Sequence, residues 1–328
     1  MEFYMAPMEG LTGYIYRNAY HACFRPMDRY FTPFVSPRAQ GGMKGSISFI
    51  SREINDILPE HNRGLCVIPQ ILTNRAEDFL RAALILKEYG YREVNLNLGC
   101  PSPTVVSKNK GAGFLSMPHA LDMFLETVTE ELDKMGMEMS VKTRLGIYSS
   151  DEFYHLLEIY NKYPLTQLII HSRVRTDYYK NTPDREMFGY GLEHGSSPVC
   201  YNGDLFTAED FRGLSQQYPK LGYVMMGRGI IANPGLVEAI ETGTPLDKVR
   251  LEEFHQRIYE GYRGIMSGDR NVLFKMKEIW ASMIRIFSDD GKYGKKIKKA
   301  QRLGEYEAAV SQVFRDLDIV EGAGFKLY

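Results

Sequence analysis

The sequence predicts an α/β protein: a (β/α)8 TIM barrel followed by a smaller helical domain. Three observations predict it. Eight short apolar runs recur along the first part of the chain, with segments of helical period between several of them. Most runs carry a polar group at their C-terminal end, where parallel barrels gather their binding residues. From about residue 243 onward the runs stop and amphipathic helical segments follow instead. A doubly wound sheet would also fit the alternation, but polar groups at the same end of so many strands favour one pocket lined by all of them.

The runs read as strands are "FYMAPM" (3–8), "RYFTPFV" (29–35), "LCVIPQIL" (65–72), "EVNLNL" (93–98), "MSVKTRL" (139–145), "QLIIHSR" (167–173), "PVCYNGD" (198–204) and "GYVMMGRG" (222–229). Helices are expected over Ala76–Tyr89, after the cap-like Thr73-Asn74, over Pro118–Met135, and over Ala208–Tyr218 after Thr207. Those after the first strands are less distinct. The barrel is expected to occupy 1–242 and the helical domain 243–328.

Composition sets outer bounds. The chain has 328 residues, 44% hydrophobic and 25% charged, with a net charge of −1, which gives no global sign of a polyanionic partner. Cys23, Cys66, Cys100 and Cys200 are too scattered for a disulfide framework or a metal-binding pair. No apolar run is long enough to span a bilayer, and "MEFYMAPMEG" lacks the features of a signal peptide. A cytoplasmic protein without metal, off the membrane and monomeric, is the expectation.

Chemistry concentrates at the strand ends. In "VNLNLGCPSP" the asparagines alternate with apolar residues until Gly99 and Pro101 break the strand, which leaves Cys100 on a loop at its exit. Packing would account for a lone thiol there equally well. Gln70, Asn97, Lys142, Arg144, His171 and Arg173 occupy comparable places on other runs. "YNGDLFTAED" and "MGRGIIANPGL" each set glycine between a strand and a helix, an arrangement that suits a phosphate, and barrels hold phosphates after strands 7 and 8. Amide side chains and a lysine suit a flat heterocycle with carbonyl and imide edges, such as an isoalloxazine.

These residues resemble those of the tRNA-dihydrouridine synthases, flavin mononucleotide (FMN) enzymes that reduce the C5–C6 double bond of particular uridines in RNA. The similar segments are "MAPMEGLT", "PQILTN", "NLNLGCPSPTVVSKNKGAGFL", "SVKTRLGI", "IIHSRVRTDYYKN", "YNGDL" and "MGRGII", in the family's order from residue 5 to about 231. The resemblance implies FMN contacts from Ala6, Pro7, Met8 and Gln70, with Lys142 near the ring's N1/O2 edge. His171 would reach toward the ribityl chain and phosphate, with Asn202, Gly203, Asp204, Gly227 and Arg228 at the phosphate end. Asn97 would face the uracil, Arg144 and Arg173 would help place the target nucleotide, and Cys100 would donate a proton to C5, with NADPH as reductant. Ser172 stands where the family usually has glycine, and "NTPDREMF" departs from the family pattern, both on the uridine side of the expected site.

The C-terminal segments "LEEFHQRIYEGYRGIM" and "NVLFKMKEIWASMIRIF" are amphipathic, the second with Val272, Met276, Ile279, Met283 and Phe287 on one face. From Pro245 onward 16 Lys and Arg stand against 13 Asp and Glu, a net +3 that leaves −4 on the remainder. "KYGKKIKKAQR" concentrates Lys295, Lys296, Lys298, Lys299 and Arg302 around Tyr293; such a run is ordinarily a solvated face, and the resemblance makes it an RNA-binding one. The rival functions are a small-molecule flavin enzyme such as a dihydroorotate dehydrogenase, which has no use for the basic extension, and a non-catalytic RNA-binding protein. The segment "SPTVVSKNKGAGF" is expected to be a mobile loop hinged at Gly111 and Gly113.

Overall fold

The computed structural model describes residues 1–39 and 47–325. The chain forms two compact units, each assembled from separate stretches: Met1–Pro7, Asp28–Gly203 and Lys220–Met225 in the first, and Met8–Met27, Asp204–Pro219 and the chain from Met226 onward in the second.

The first unit is a parallel barrel. Its strands are β1 (Glu2–Met5), β2 (Arg29–Phe31), β3 in two pieces (Val67–Ile68 and Gln70–Ile71), β4 (Glu93–Leu98), β5 (Glu138–Arg144), β6 (Leu168–His171), β7 (Val199–Asn202) and β8 (Tyr223–Met226). All eight expected strands form. Most are shorter at their C-terminal ends than the apolar runs suggest, because Pro7, Pro33 and the glycines at 203 and 227 turn the backbone out of the ladder. A proline closes the cylinder. Pro69 has no N–H to donate, and it divides β3 so that Val67 and Ile68 pair with β2 while Gln70 and Ile71 pair with β4. The order then runs β3, β2, β1, β8, β7, β6, β5, β4 and back to β3.

Helices form where the apolar period predicts them. Ala76–Glu88 buries Phe79, Ala82, Ala83 and Leu86 at i, i+3, i+4 and i+7. Pro118–Met135 begins with proline in its first turn and ends on Gly136, whose φ of +64° favours glycine. At the N-terminal end of the barrel Arg29 pairs with Glu93 at 2.7 Å, and the other carboxylate oxygen accepts from Thr166 Oγ1 at 3.1 Å. That end carries an ion pair that ties β2 to β4.

The second unit is helical, built mainly from Tyr14–Cys23, Ala208–Gln217, Lys248–Ile265, Asp269–Met283, Asp290–Lys299 and Leu303–Asp316. Tyr16, Tyr20 and Phe24 meet Phe254 edge-on, with centroids 5.3–6.4 Å apart. Gly261 is required there, since a Cβ would stand 2.7 Å from Ile15 Cγ2. A second core surrounds Tyr306, whose hydroxyl accepts from Trp280 Nε1 at 2.8 Å and meets His255 Nε2 at 2.6 Å. Indole N–H only donates, so the tyrosine oxygen accepts from Trp280 and shares a second hydrogen bond with His255, whose imidazole burial pulls down to about 3. The apolar face Val272, Met276, Ile279, Met283 and Phe287 is buried as the sequence predicts.

Glu93→Ala leaves the Arg29 guanidinium without its carboxylate at a partly buried strand end. The expected cost is about 2 kcal/mol in urea unfolding. An unchanged midpoint would show that the pair contributes nothing.

Candidate active site

Alternation along β4 and β5 turns Asn95, Asn97, Ser140, Lys142 and Arg144 to one side. The ladder sets them level with their neighbours: Gln70 opposite Asn95, Asn97 opposite Lys142, Arg144 opposite His171, and His171 opposite Asn202. Candidate residues from five strands are thereby gathered at one end of the barrel.

The centre of this site is a chain of side-chain amides. Asn97 Oδ1 accepts from the backbone N–H groups of Gly99 at 3.0 Å and Cys100 at 2.9 Å, which holds the turn carrying the thiol. Its Nδ2 therefore faces Gln70 and donates to Oε1 at 2.7 Å. Gln70 Nε2 in turn donates to Asn95 Oδ1 at 2.7 Å, and Asn95 Nδ2 to Ser140 Oγ at 3.0 Å. Backbone N–H groups can only donate, so the orientation of each amide follows from the two at Gly99 and Cys100. One amide hydrogen on Gln70 and one on Asn97 have no protein acceptor among the described residues.

Cys100 is half-buried. The segment behind it forms the short helix Pro103–Val106 and the 3-10 turn Gly111–Ser116, and Ala112 N donates to Cys100 O at 3.0 Å. Gly111 and Gly113 are close-packing positions: a Cβ would lie 2.9 Å from Cys100 O at the first and 2.8 Å from Val106 O at the second. In this arrangement the glycines let the segment pack under the thiol, a role different from the expected hinges.

Lys142 has no hydrogen-bond or ion-pair partner among the described residues. Burial, then the neighbouring Arg144 charge, pull its ammonium down from 10.5 to about 7. Arg144 is fully buried and donates to three carbonyls, with Nε on Gly99 O (2.8 Å), Nη1 on Val174 O (2.9 Å) and Nη2 on Tyr178 O (2.8 Å), and its side chain also engages that of Tyr179. Its plane lies 5.4 Å from the centre of the Tyr179 ring. Arg173 is turned back by a tight bend at Ser172, where its N–H donates to His171 O at 2.7 Å; its Nη1 meets His171 Nε2 at 3.3 Å and its Nε donates to Asn181 O at 2.6 Å. The Ser172 hydroxyl is buried without a partner among the described residues. Both arginines thus tie loops together.

Ala6 and Pro7 follow β1 directly, and Asn202 ends β7 with Nδ2 on Met225 O at 2.9 Å. At Gly203 a Cβ would stand 2.2 Å from the Tyr201 hydroxyl, so close packing alone requires glycine there. In the second unit Met8 opens a turn, its N–H donating to Thr12 Oγ1 at 2.8 Å. Arg228 pairs with Asp204 and lies over both Phe206 (5.4 Å) and Phe325 (5.1 Å), whose ring centroids are 5.1 Å apart. The helix after Thr207 is already capped: Asp210 accepts from Phe206 N and Thr207 N at 2.9 Å, and Thr207 Oγ1 accepts from Asp210 N at 3.1 Å. Those N–H groups are not available to an anion. Gly227 precedes the short helix Arg228–Ala232.

The basic run lies on and just after Asp290–Lys299, with Lys295, Lys296, Lys298, Lys299 and Arg302 exposed. Tyr293 is occupied, covered by Lys292 and Lys296 at 5.6 and 4.9 Å and bonded to Asp316 at 3.1 Å. Sequence reasoning missed Ser140 and Tyr179. The i, i+2 relation of Ser140 to Lys142 was a usable signal for the first, and the second lies within "IIHSRVRTDYYKN", one of the segments that carry the resemblance.

The fold and the site together define a class: a parallel-barrel enzyme with a cluster of polar side chains, a half-buried lysine and a thiol at the strand ends. The chain belongs to the dihydrouridine synthase family, whose pattern it matches over residues 4–317, and so to a family of flavin-dependent oxidoreductases. It is similar to "Probable tRNA-dihydrouridine synthase 2" of Bacillus subtilis, 28% identical over 71% of this chain and 70% of the other. A "Probable tRNA-dihydrouridine synthase" of Staphylococcus aureus is 29% identical over 71% of this chain and 69% of the other. Among solved structures, morphinone reductase in complex with tetrahydroNAD aligns over 77% of this chain and 90% of that one at 13% identity, with a TM-score of 0.49. No helix among the described residues is long and apolar enough to cross a membrane, and no group of three or more His, Cys, Asp and Glu among them could hold a metal ion.

The Lys142 shift has a measurable consequence. The unfolded chain keeps this proton up to about 10.5 while the folded chain sheds it near 7, so between those values the unfolded state binds more protons and stability rises with pH. Lys142→Met removes that dependence. In the flavin-free protein it is expected to be the more stable form at pH 6, by on the order of 3 kcal/mol, with the gap closing toward pH 10. Parallel unfolding curves across this range would refute the buried charge.

Proposed function

We propose that this chain reduces uridines of RNA, tRNA in particular, to 5,6-dihydrouridine, with FMN as its flavin and NADPH as the reductant. The observation that carries the reading is the Lys142 ammonium, held without a partner beside amides that each keep one free donor hydrogen. A ring edge rich in carbonyls, one that gains negative charge on reduction, supplies what such a site lacks. The residues fit FMN on these grounds. Lys142 and Gln70 would hold the ring edge, with Ala6, Pro7 and Met8 contributing backbone. His171, Asn202, Gly203, Asp204, Gly227 and Arg228 would serve the ribityl and phosphate end. When bound and reduced, the flavin supplies the hydride that adds to C6 of the uracil.

The chain's own task is the proton. Hydride at C6 leaves an enolate that must be protonated at C5, and a thiol with an ordinary value of about 8.5 remains mostly protonated at neutral pH. Cys100 fills this role. Its loop is held by Asn97 Oδ1 and braced by Arg144 through Gly99 O. Asn97 Nδ2 keeps a hydrogen for a uracil carbonyl, and the cationic Arg144 and Arg173 favour a polyanion near the pocket. A uridine must leave its stack to reach such a site, at a cost of a few kcal/mol, so further contacts with the RNA are needed. The segment 243–328 supplies them, with Lys295, Lys296, Lys298, Lys299 and Arg302 as the exposed basic groups.

Cys100→Ala tests this directly. The variant is expected to fold, bind flavin and accept hydride from NADPH as the wild type does, while dihydrouridine formation on unmodified tRNA under single turnover falls about 10²–10⁴-fold. Cys100→Ser should also be slow, because a hydroxyl is the weaker acid. Wild-type product formation by the alanine variant would end the assignment.

A further inference from the structure

The helices Asp269–Met283 and Asp290–Lys299 leave a groove of about 1010 Å³ between them. Its floor is apolar, with Leu273, Trp280, Ile284 and Ile297 all nearly inaccessible. Arg270, Lys277, Arg285 and Lys298 also line it, against a single carboxylate, Glu278, which is paired with Lys275 at 3.0 Å. Arg270 and Lys298 have no hydrogen-bond or ion-pair partner among the described residues. At the rim stands Phe274, 73% exposed. Its ring also lines a second hollow of about 370 Å³ with Asn271 and Lys275.

Phe274 does not stand alone but shares one groove with the apolar floor, and the surrounding charge selects the partner for that surface. A polyanion with flat, unstacked faces satisfies both features: phosphates match Arg270 and Lys298, and a base matches the ring. Bases in a duplex are already stacked and present no face. We propose that this groove binds an unpaired nucleotide of the RNA, with its base stacked on Phe274 and its backbone on Arg270 and Lys298. The proposal rests on the RNA-reducing function above and shifts recognition from the lysine run as a whole to one wall of the helix pair. Tyr293, masked by Lys292 and Lys296, is not the stacking residue.

Binding of a short unpaired oligoribonucleotide and of its duplex, measured by anisotropy across a salt titration, tests the proposal. Phe274→Ala, a substitution at an exposed site whose folding circular dichroism verifies, should weaken the unpaired probe about tenfold with little change in salt slope. Arg270→Ala with Lys298→Ala should flatten that slope by about 1.4, since each lost phosphate contact on a single strand contributes about 0.7. Phe274→Trp should retain binding and show indole quenching on addition of the probe. Unchanged affinity of Phe274→Ala for RNA, equal loss on duplex and unpaired probes, or a change in self-association by sedimentation instead, would overturn the groove while leaving the enzymatic reading intact. If the wild-type chain bound no RNA at all, the enzymatic reading would fail first and this inference with it.

Discussion

Two backbone N–H groups, those of Gly99 and Cys100, set the polarity of the barrel's polar interior. They can only donate, so Asn97 must present its oxygen to them, and that choice passes through Gln70 and Asn95 to Ser140. A buried amide turned the wrong way would oppose donor to donor, at a cost of about 1–3 kcal/mol for each group left unsatisfied. The chain of bonds therefore has one low-energy arrangement. It joins the loop that carries the thiol to the side chain proposed to meet the flavin, and one element is not free to reorient without the other.

The cations obey a complementary constraint. Each nitrogen of Arg144 donates to a carbonyl oxygen, which holds the guanidinium by hydrogen bonds that do not cancel its charge, and Arg173 bonds a carbonyl and an imidazole. Burial, and after it the field of Arg144, weakens the hold of Lys142 on its proton. A site of this kind is tense without an electron-rich ligand. The same arrangement serves geometry, since Arg144 links Gly99 to the loop at Val174 and Tyr178.

The helical unit follows a different logic. Trp280, Tyr306 and His255 bury their polar atoms by bonding to one another, which lets three large side chains pack in one core. Phe274, six residues before Trp280 on the same helix, is left outside. Its exposure beside unpaired cations makes this face the unit's distinctive surface.

The sequence by itself determined the strand count, the helix 118–135 and the end of each strand at which polar groups collect, because these depend on local period and on the positions of glycine and proline. It also marked Gln70, Asn97, Cys100, Lys142 and His171, since polar residues at the ends of apolar strands stand out without knowledge of their neighbours. Partnership was not legible. That Pro69 divides a strand between two neighbours, that Arg144 reaches three backbone carbonyls, and that the helix after Thr207 is already capped all depend on which strands and loops lie side by side. The same holds for Gly111 and Gly113, which as sequence suggest hinges and in three dimensions are places where only a missing Cβ lets the chain pass beneath Cys100. Tertiary structure also decided between Tyr293 and Phe274. Both are aromatic residues near lysines along the chain, but only packing determines which ring is covered and which is left to solvent.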